Sequence, residues 1–210
     1  MTDMTALITA FTTLFVIIDP IGLTPLFVAL TQGMEPSRRR AIAIRSCVTG
    51  ALILIVFAIF GEALLGFVGI SMPAFRIAGG ILLFLTALEM LFQKRATRRK
   101  SNADEASAED HHDDPSVFPI GIPLIAGPGA IASMILLTGS TDSIAGFAAV
   151  IGVMLAVLVI VYILFTFAGL IERGLGKTGV DVVTRLLGML LAALAIQFIL
   201  DGLATFGLIG

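Results

Sequence analysis

The segment Val16-Ile17-Ile18-Asp19-Pro20-Ile21-Gly22-Leu23-Thr24-Pro25 places one aspartate and two prolines in the middle of an apolar run. That run covers residues 5–31, and its 27 residues would make a helix of about 40 Å against a hydrocarbon core of about 30 Å. A straight crossing does not need this length, whereas an interrupted helix accommodates it. Aspartate is a preferred N-cap and proline a preferred first helical residue, so Asp19-Pro20 reads as the start of a second half-helix. A break at mid-bilayer exposes backbone groups that lipid cannot satisfy, and it survives only where protein or a water-lined cavity receives them. A second Pro-centred break, Gly127-Pro128-Gly129, follows with its proline 108 residues after Pro20. Matched breaks in matched halves point to the binding site of a transporter.

The rest of the composition agrees with a membrane solvent. Of 210 residues, 58% are hydrophobic and 13% charged, and mean hydropathy is +1.06. No soluble fold of this size has enough interior to hide so much apolar surface. The apolar runs are continuous and about twenty residues long, so the spans are helical and not the alternating strands of a barrel. A net charge of −2 gives no reason to expect nucleic acid; the expected partners are the lipid bilayer and a small-molecule substrate, with homo-oligomerisation left open. The single cysteine, Cys47, excludes an intrachain disulfide and reads as a small packing group. Residues 1–18 lack a basic n-region and a small-residue cleavage site, so they read as a retained first span.

Six spans are expected, near residues 5–31, 41–60, 72–92, 117–138, 143–170 and 182–208. Lys and Arg placement orients them. Every basic residue except Arg76 lies on or beside the first, third or fifth connection, which puts those connections in the cytoplasm and both termini outside. Residues 94–115 start basic, end acidic and carry few apolar side chains. This tract is expected to be a disordered charged cytoplasmic linker between a first unit, residues 1–93, and a second, residues 116–210. His111-His112 lie in it, but a metal centre needs four ligands at fixed geometry, and none is expected.

The two units read as copies. Glu62-x-x-Leu65-Gly66-x-x-Gly69-Ile70 precedes Arg76-x-x-Gly79, and Glu172-x-x-Leu175-Gly176-x-x-Gly179-Val180 precedes Arg185-x-x-Gly188. Each copy holds three spans, and an odd number flips the second copy, giving an inverted repeat about an axis in the membrane plane. The expected fold class is therefore an all-α polytopic membrane protein of two inverted three-helix repeats, with the first and fourth spans broken.

Inverted topology would bring both half-helix N-termini to the midplane, each with free N–H groups and partial positive charge. The ends differ: Asp19 supplies a carboxylate, whereas Gly127 and Gly129 supply none. The Gly127–Ala130 end is the candidate seat for a substrate carboxylate, with Pro128 opening it. Asp19 would face the substrate ammonium, or a coupling H⁺ or Na⁺; no other cofactor is expected. A charged Asp at mid-span costs about 2.5–3.5 kcal/mol on insertion scales, so it should have a partner; a pure N-cap role is the plainer alternative. Gly22 and Thr24 follow the break and join the candidate substrate site, as does Gln197, which lies deep in the sixth span and should find a polar partner inside the bundle. Thr5, Thr9, Thr12 and Thr13 share one helical face; they either line a path or bond the backbone one turn back. Pro20 and Pro25 shape the break. Arg76 and Arg185 open the third and sixth spans from opposite faces and suit gating, helix-end bonding or simple snorkelling.

Four motifs carry a family resemblance. Asp-Pro-Ile-Gly-x-x-Pro at 19–25, Arg-x-x-Gly-Gly-Ile-Leu-Leu-Phe at 76–84, Ile-Pro-Leu-Ile-Ala-Gly-Pro-Gly-Ala-Ile at 122–131 and Arg-x-x-Gly…Gln-Phe-Ile-Leu-Asp-Gly at 185–202 resemble the MarC family over nearly the whole chain outside the linker. The resemblance implies a six-span inner-membrane protein related to small neutral amino acid transporters. No P-loop signature is present, so the resulting expectation is secondary transport driven by an ion or solute gradient. The alternatives are a non-transporting scaffold or accessory protein, or an exporter of other small molecules. No span carries a histidine or a serine with a plausible base, so no enzyme is expected.

Overall fold

A computed structural model describes residues 4–94, 99, 101, 115–141 and 143–205, with the side chains of residues 171–173, 175 and 177 left aside. The expected linker disorder, the His111-His112 pair and residues 206–210 lie outside the described residues. All regular structure among the described residues is helical: α1 (Met4–Ile18), α2 (Pro20–Leu30), α3 (Pro36–Val68), α4 (Met72–Leu91), α5 (Ser116–Ile125), α6 (Pro128–Gly139), α7 (Ile144–Thr166) and α8 (Ala168–Thr205). Five stretches are long and apolar enough to cross a membrane, or six if α5 and α6, bent by 58° at their junction, count as one.

The helix ends follow local chemistry. Ser71 caps α4 by accepting the Ala74 N–H, and Ser143 caps α7 by accepting the Gly146 N–H. Helix α3 runs past its expected end at residue 60 and stops where Gly69 turns left-handed at φ 81°. There the Ile70 N–H returns to the Leu65 carbonyl, a glycine-terminated C-cap. Gly176, at φ 62° and ψ 176°, interrupts α8, leaving Thr178–Thr205 as its membrane-length part.

The surface is apolar almost all round. Phe67 is 90% exposed and Phe60 and Leu64 are also bare, which only lipid or another protein makes tolerable. Centrality can be ranked by burial. The best 18-residue window of Met4–Leu30 is 61% buried, against 22–28% for the other four long spans, and Ala130 and Ala132–Thr138 of α6 are buried as well, so α1, α2 and α6 lie at the centre. Helix α3 packs on α5 and α7, and α1 and α2 pack on α7 and α8. The most extensive pairing is α4 with α8. Its glycines bring the backbones together: a Cβ on Gly80 would lie 2.8 Å from the Ala195 carbonyl oxygen, one on Gly188 3.2 Å from that of Ala87, and one on Gly202 3.0 Å from that of Pro73. Small residues give helices this close approach in a solvent that provides no hydrophobic drive. Residue numbers rise along α8 as they fall along α4, so the pair is antiparallel. The far end of α2 is pinned by Phe27, stacked on Phe165 of α7 at 4.3 Å between ring centroids, with the Arg39 guanidinium 5.8 Å above the Phe27 ring.

Candidate functional site at the two helix junctions

Asp19 builds the α1–α2 junction. Pro20 has no N–H to offer the Val16 carbonyl, so helical pairing fails there. The Asp19 N–H still closes α1 on the Phe15 carbonyl at 2.9 Å, and the Asp19 carbonyl opens α2 by accepting the Leu23 N–H at 3.0 Å. Its backbone is left-handed, φ 58° and ψ 64°, a region that aspartate tolerates better than most residues. The carboxylate folds over the first turn of α2, and Oδ1 accepts the Gly22 N–H at 3.1 Å. A Cβ at position 22 would collide with that carboxylate.

This cap has a second consequence. In an unbroken helix the Gly22 N–H would serve the Ile18 carbonyl. With that donor diverted, the Ile18 oxygen is open to another, and Arg99 takes it. Arg99 Nη2 donates to Ile18 O at 3.2 Å, and Nη1 donates to Asp19 Oδ2 at 3.2 Å. One planar guanidinium spans both acceptors. Asp19 is 1% exposed and Arg99 8%, so the ion pair is shut away from solvent. Arg99 belongs to the stretch expected to be a solvated linker; for this residue the expectation is corrected, because its guanidinium is buried against a carboxylate and a carbonyl inside the bundle.

The α5–α6 junction is irregular for a different reason. Phe118 (φ −130°, ψ 125°) and Ile122 (φ −128°, ψ 129°) are extended inside α5, because each precedes a proline that disfavours the helical region. Gly127 is extended as well, and Pro128 starts α6 with no side chain capping the end. The first-turn N–H groups of Gly129 and Ala130 therefore carry the positive end of the helix dipole without a side-chain acceptor.

The two junctions meet. A Cβ on Gly129 would lie 2.8 Å from Ile17 Cδ1 and 3.6 Å from Leu83 Cδ2. The electropositive start of α6 thus rests on the last turn of α1, two residues from Asp19, where dipole and carboxylate are both negative. Beside this seam lie two hydroxyls of a particular kind. Thr24, Thr31, Ser46, Thr86, Thr138 and Thr166 each donate to a carbonyl four residues back. Thr13 and Ser133 do not: both are fully buried, and their hydroxyls have no hydrogen-bond partner. Thr13 stands one turn before Ile17 and Ser133 one turn after Gly129, so both face the seam that the Ile17–Gly129 contact marks. A buried hydroxyl without a partner costs about 1–3 kcal/mol, a sign of a group kept for something other than packing.

The remaining candidates divide. Thr24 is buried beside the break, but its hydroxyl is given to the Pro20 carbonyl at 2.9 Å. Pro25 lies within α2. Arg76 is half-buried near the start of α4, and Arg185 is exposed on α8. Gln197 corrects an expectation: it is exposed, and its amide donates at 2.7 Å to Asp201 one turn along the same helix, not to a partner inside the bundle. The periodicity of α8 turns that position outward, away from the face on α4. Arg99 and Ser133 went unsuspected; the demand of a mid-span aspartate for a partner was a signal for the first, and the small-residue run Ala126–Ser133 for the second.

Comparison with known proteins gives one consistent result. The family model described as MarC family integral membrane protein matches residues 4–206. A "UPF0056 membrane protein" of Archaeoglobus fulgidus is 38% identical over 196 residues, covering 93% of this chain and 91% of that protein. One of Aquifex aeolicus is 34% identical over 194 residues, 92% and 90% of the two chains. The Escherichia coli "UPF0056 inner membrane protein YhgN" is 34% identical over 203 residues, 95% and 97%. No solved structure matches.

Proposed function

The chain belongs to the MarC family of integral membrane proteins, and from that premise we propose that it is a secondary transporter of small zwitterions, of the neutral amino acid class, in an inner membrane with both termini outside. The observation that carries the proposal is the meeting of opposite partial charges at the Ile17–Gly129 contact. A zwitterion needs a cation seat and an anion seat a few ångströms apart. Asp19 Oδ2 with the Ile18 carbonyl supplies the first, and the uncapped Gly127–Ala130 turn supplies the second. In broken-helix transporters, half-helix N-termini face a substrate carboxylate, while unwound carbonyls and helix C-termini face cations. Thr13 and Ser133 supply neutral donors on the seam between.

The arrangement of helices supports reading the halves as an inverted repeat with the first and fourth spans broken. Helix α3 of the first half packs on α5 of the second, and α7 of the second packs on α1 and α2 of the first. Exchanging halves at the 109-residue offset of Arg76 and Arg185 turns the Gly188–Ala87 contact into one between Gly79 and Ile196. The observed contact of Gly80 with Ala195 is one residue away on each helix. Both breaks then sit at equivalent places, and rocking of one half against the other would open the seam to either side. The coupling ion of this reading is H⁺ or Na⁺.

One observation favours the scaffold alternative: Arg99 already fills the acceptors at Asp19. Counterflow in proteoliposomes with labelled glycine, alanine and serine, with and without a proton or Na⁺ gradient, separates the two. Saturable exchange abolished by Asp19→Asn is the expected result; absence of exchange for all three solutes transfers the weight to the scaffold.

A further inference from the structure

We propose that Asp19 Oδ2 and the Ile18 carbonyl form a subsite for a nitrogen cation, that Arg99 is its built-in occupant, and that a substrate ammonium enters only by displacing that guanidinium. The inference rests on the reading above for the identity of the incoming ammonium, but not for the subsite itself.

The subsite is shaped for N–H donors. Its two acceptors are a carboxylate oxygen and a carbonyl oxygen freed by the Asp19 cap, and each receives a single Arg99 nitrogen at 3.2 Å. A metal ion would call for more oxygen ligands, and no group of three His, Cys, Asp or Glu residues stands together among the described residues. The carboxylate cannot turn away from the site without giving up the Gly22 N–H. Burial to 1% and 8% exposure for the two partners removes the water that would otherwise compete.

Arg99 reaches the subsite with little chain. Leu83 touches the start of α6 at the level of the break, and α4 ends at Leu91, so the helix ends about 12 Å further along. Arg99 stands eight positions after Leu91, a chain that spans up to about 27 Å when extended. A competitor tethered this closely is present at an effective concentration in the millimolar range. Its occupancy lowers the apparent affinity for any other cation by the fraction of time the subsite is free. The subsite thereby discriminates: a solute offering only an ammonium gains less than Arg99 does, unless its carboxylate also binds the α6 terminus.

Chemical rescue tests this on the purified full-length protein in detergent. Ethylguanidinium at millimolar concentration should raise the melting temperature of Arg99→Ala saturably, and should leave wild type and Asp19→Asn/Arg99→Ala unmoved. No saturable rise in Arg99→Ala, or an equal rise in all three, overturns the proposal. In counterflow with labelled alanine, Arg99→Ala should lower the half-saturating concentration several-fold; an unchanged value beside active wild type overturns it as well. Absence of flux in every protein defeats the transporter reading and leaves the thermal measurement to decide the subsite. If Arg99→Ala does not yield folded protein, Arg99→Lys, Asp19→Asn and their double variant carry the test. Non-additive melting shifts are expected, and simple additivity overturns the proposal.

Discussion

Replacing Asp19 with asparagine changes one charge and little else at the α1–α2 junction. Asparagine caps helices about as well as aspartate and tolerates the left-handed backbone at φ 58°, so its Oδ1 can keep the Gly22 N–H now held at 3.1 Å. What changes is the atom facing Arg99. The carboxylate oxygen 3.2 Å from Nη1 becomes an amide nitrogen, and two donors confront each other in a site 1% exposed on one side and 8% on the other. Removing one partner of a buried ion pair costs about 3–5 kcal/mol. For a domain of this size each kcal/mol moves the melting temperature by roughly 2–4 °C, so a fall on the order of 10 °C is expected in detergent. Arg99→Gln should cost a similar amount for the mirror reason. The double variant Asp19→Asn/Arg99→Gln should recover much of the loss, since two neutral amides can pair. A shift below about 2 °C for Asp19→Asn, or a double variant no better than the worse single one, would refute the buried pair and the electrostatics built on it.

Gly80→Ala should lower stability by about 1–3 kcal/mol, read as melting temperature, because its Cβ would lie 2.8 Å from the Ala195 carbonyl oxygen and 3.2 Å from the Ile199 nitrogen, backbone atoms that cannot swing aside. Gly152→Ala, where a Cβ meets nothing within 4 Å, should be neutral or gain up to about 1 kcal/mol from helix propensity. Thr13→Val and Ser133→Ala should leave stability unchanged or raise it slightly, since each removes a buried hydroxyl with no partner, while raising the half-saturating concentration in alanine counterflow at least several-fold. Phe165→Ala should cost about 3–5 kcal/mol in melting experiments through loss of its stack with Phe27 at 4.3 Å.

The helical class and the places where the backbone departs from it were legible because single residues dictate them. Proline lacks a donor wherever it stands, and Asp19-Pro20 and Gly127-Pro128 each mark a helix start. The same rule was available at Pro119 and Pro123 and went unread, so the irregular path of α5 came as a correction to an otherwise regular fourth span. Periodicity was a poorer guide to direction. A helix apolar on all sides has no face that sequence alone can assign to the interior, and the depth of Gln197 in the sixth span does not say which way its side chain points. The burial ranking of the spans was equally hidden, since Ile144–Thr166 has a higher mean hydropathy than Met4–Leu30, 3.0 against 2.0, yet is far less buried.

Arg99 shows why a site can stay illegible even when its need is plain. A mid-span aspartate requires a partner on energetic grounds, and that requirement was readable at Asp19. Its solution depended on two facts that no local pattern carries. The cap on Gly22 frees the Ile18 carbonyl, which turns one acceptor into two, and two acceptors select a planar guanidinium over a lysine ammonium. The end of α4 stands close enough to the break for a residue eight positions later to reach it. Neither fact belongs to the basic tract itself, whose arginines are equivalent by composition. What singles out Arg99 is where its backbone stands, and the charge that it neutralises is the charge a zwitterionic solute would have to claim.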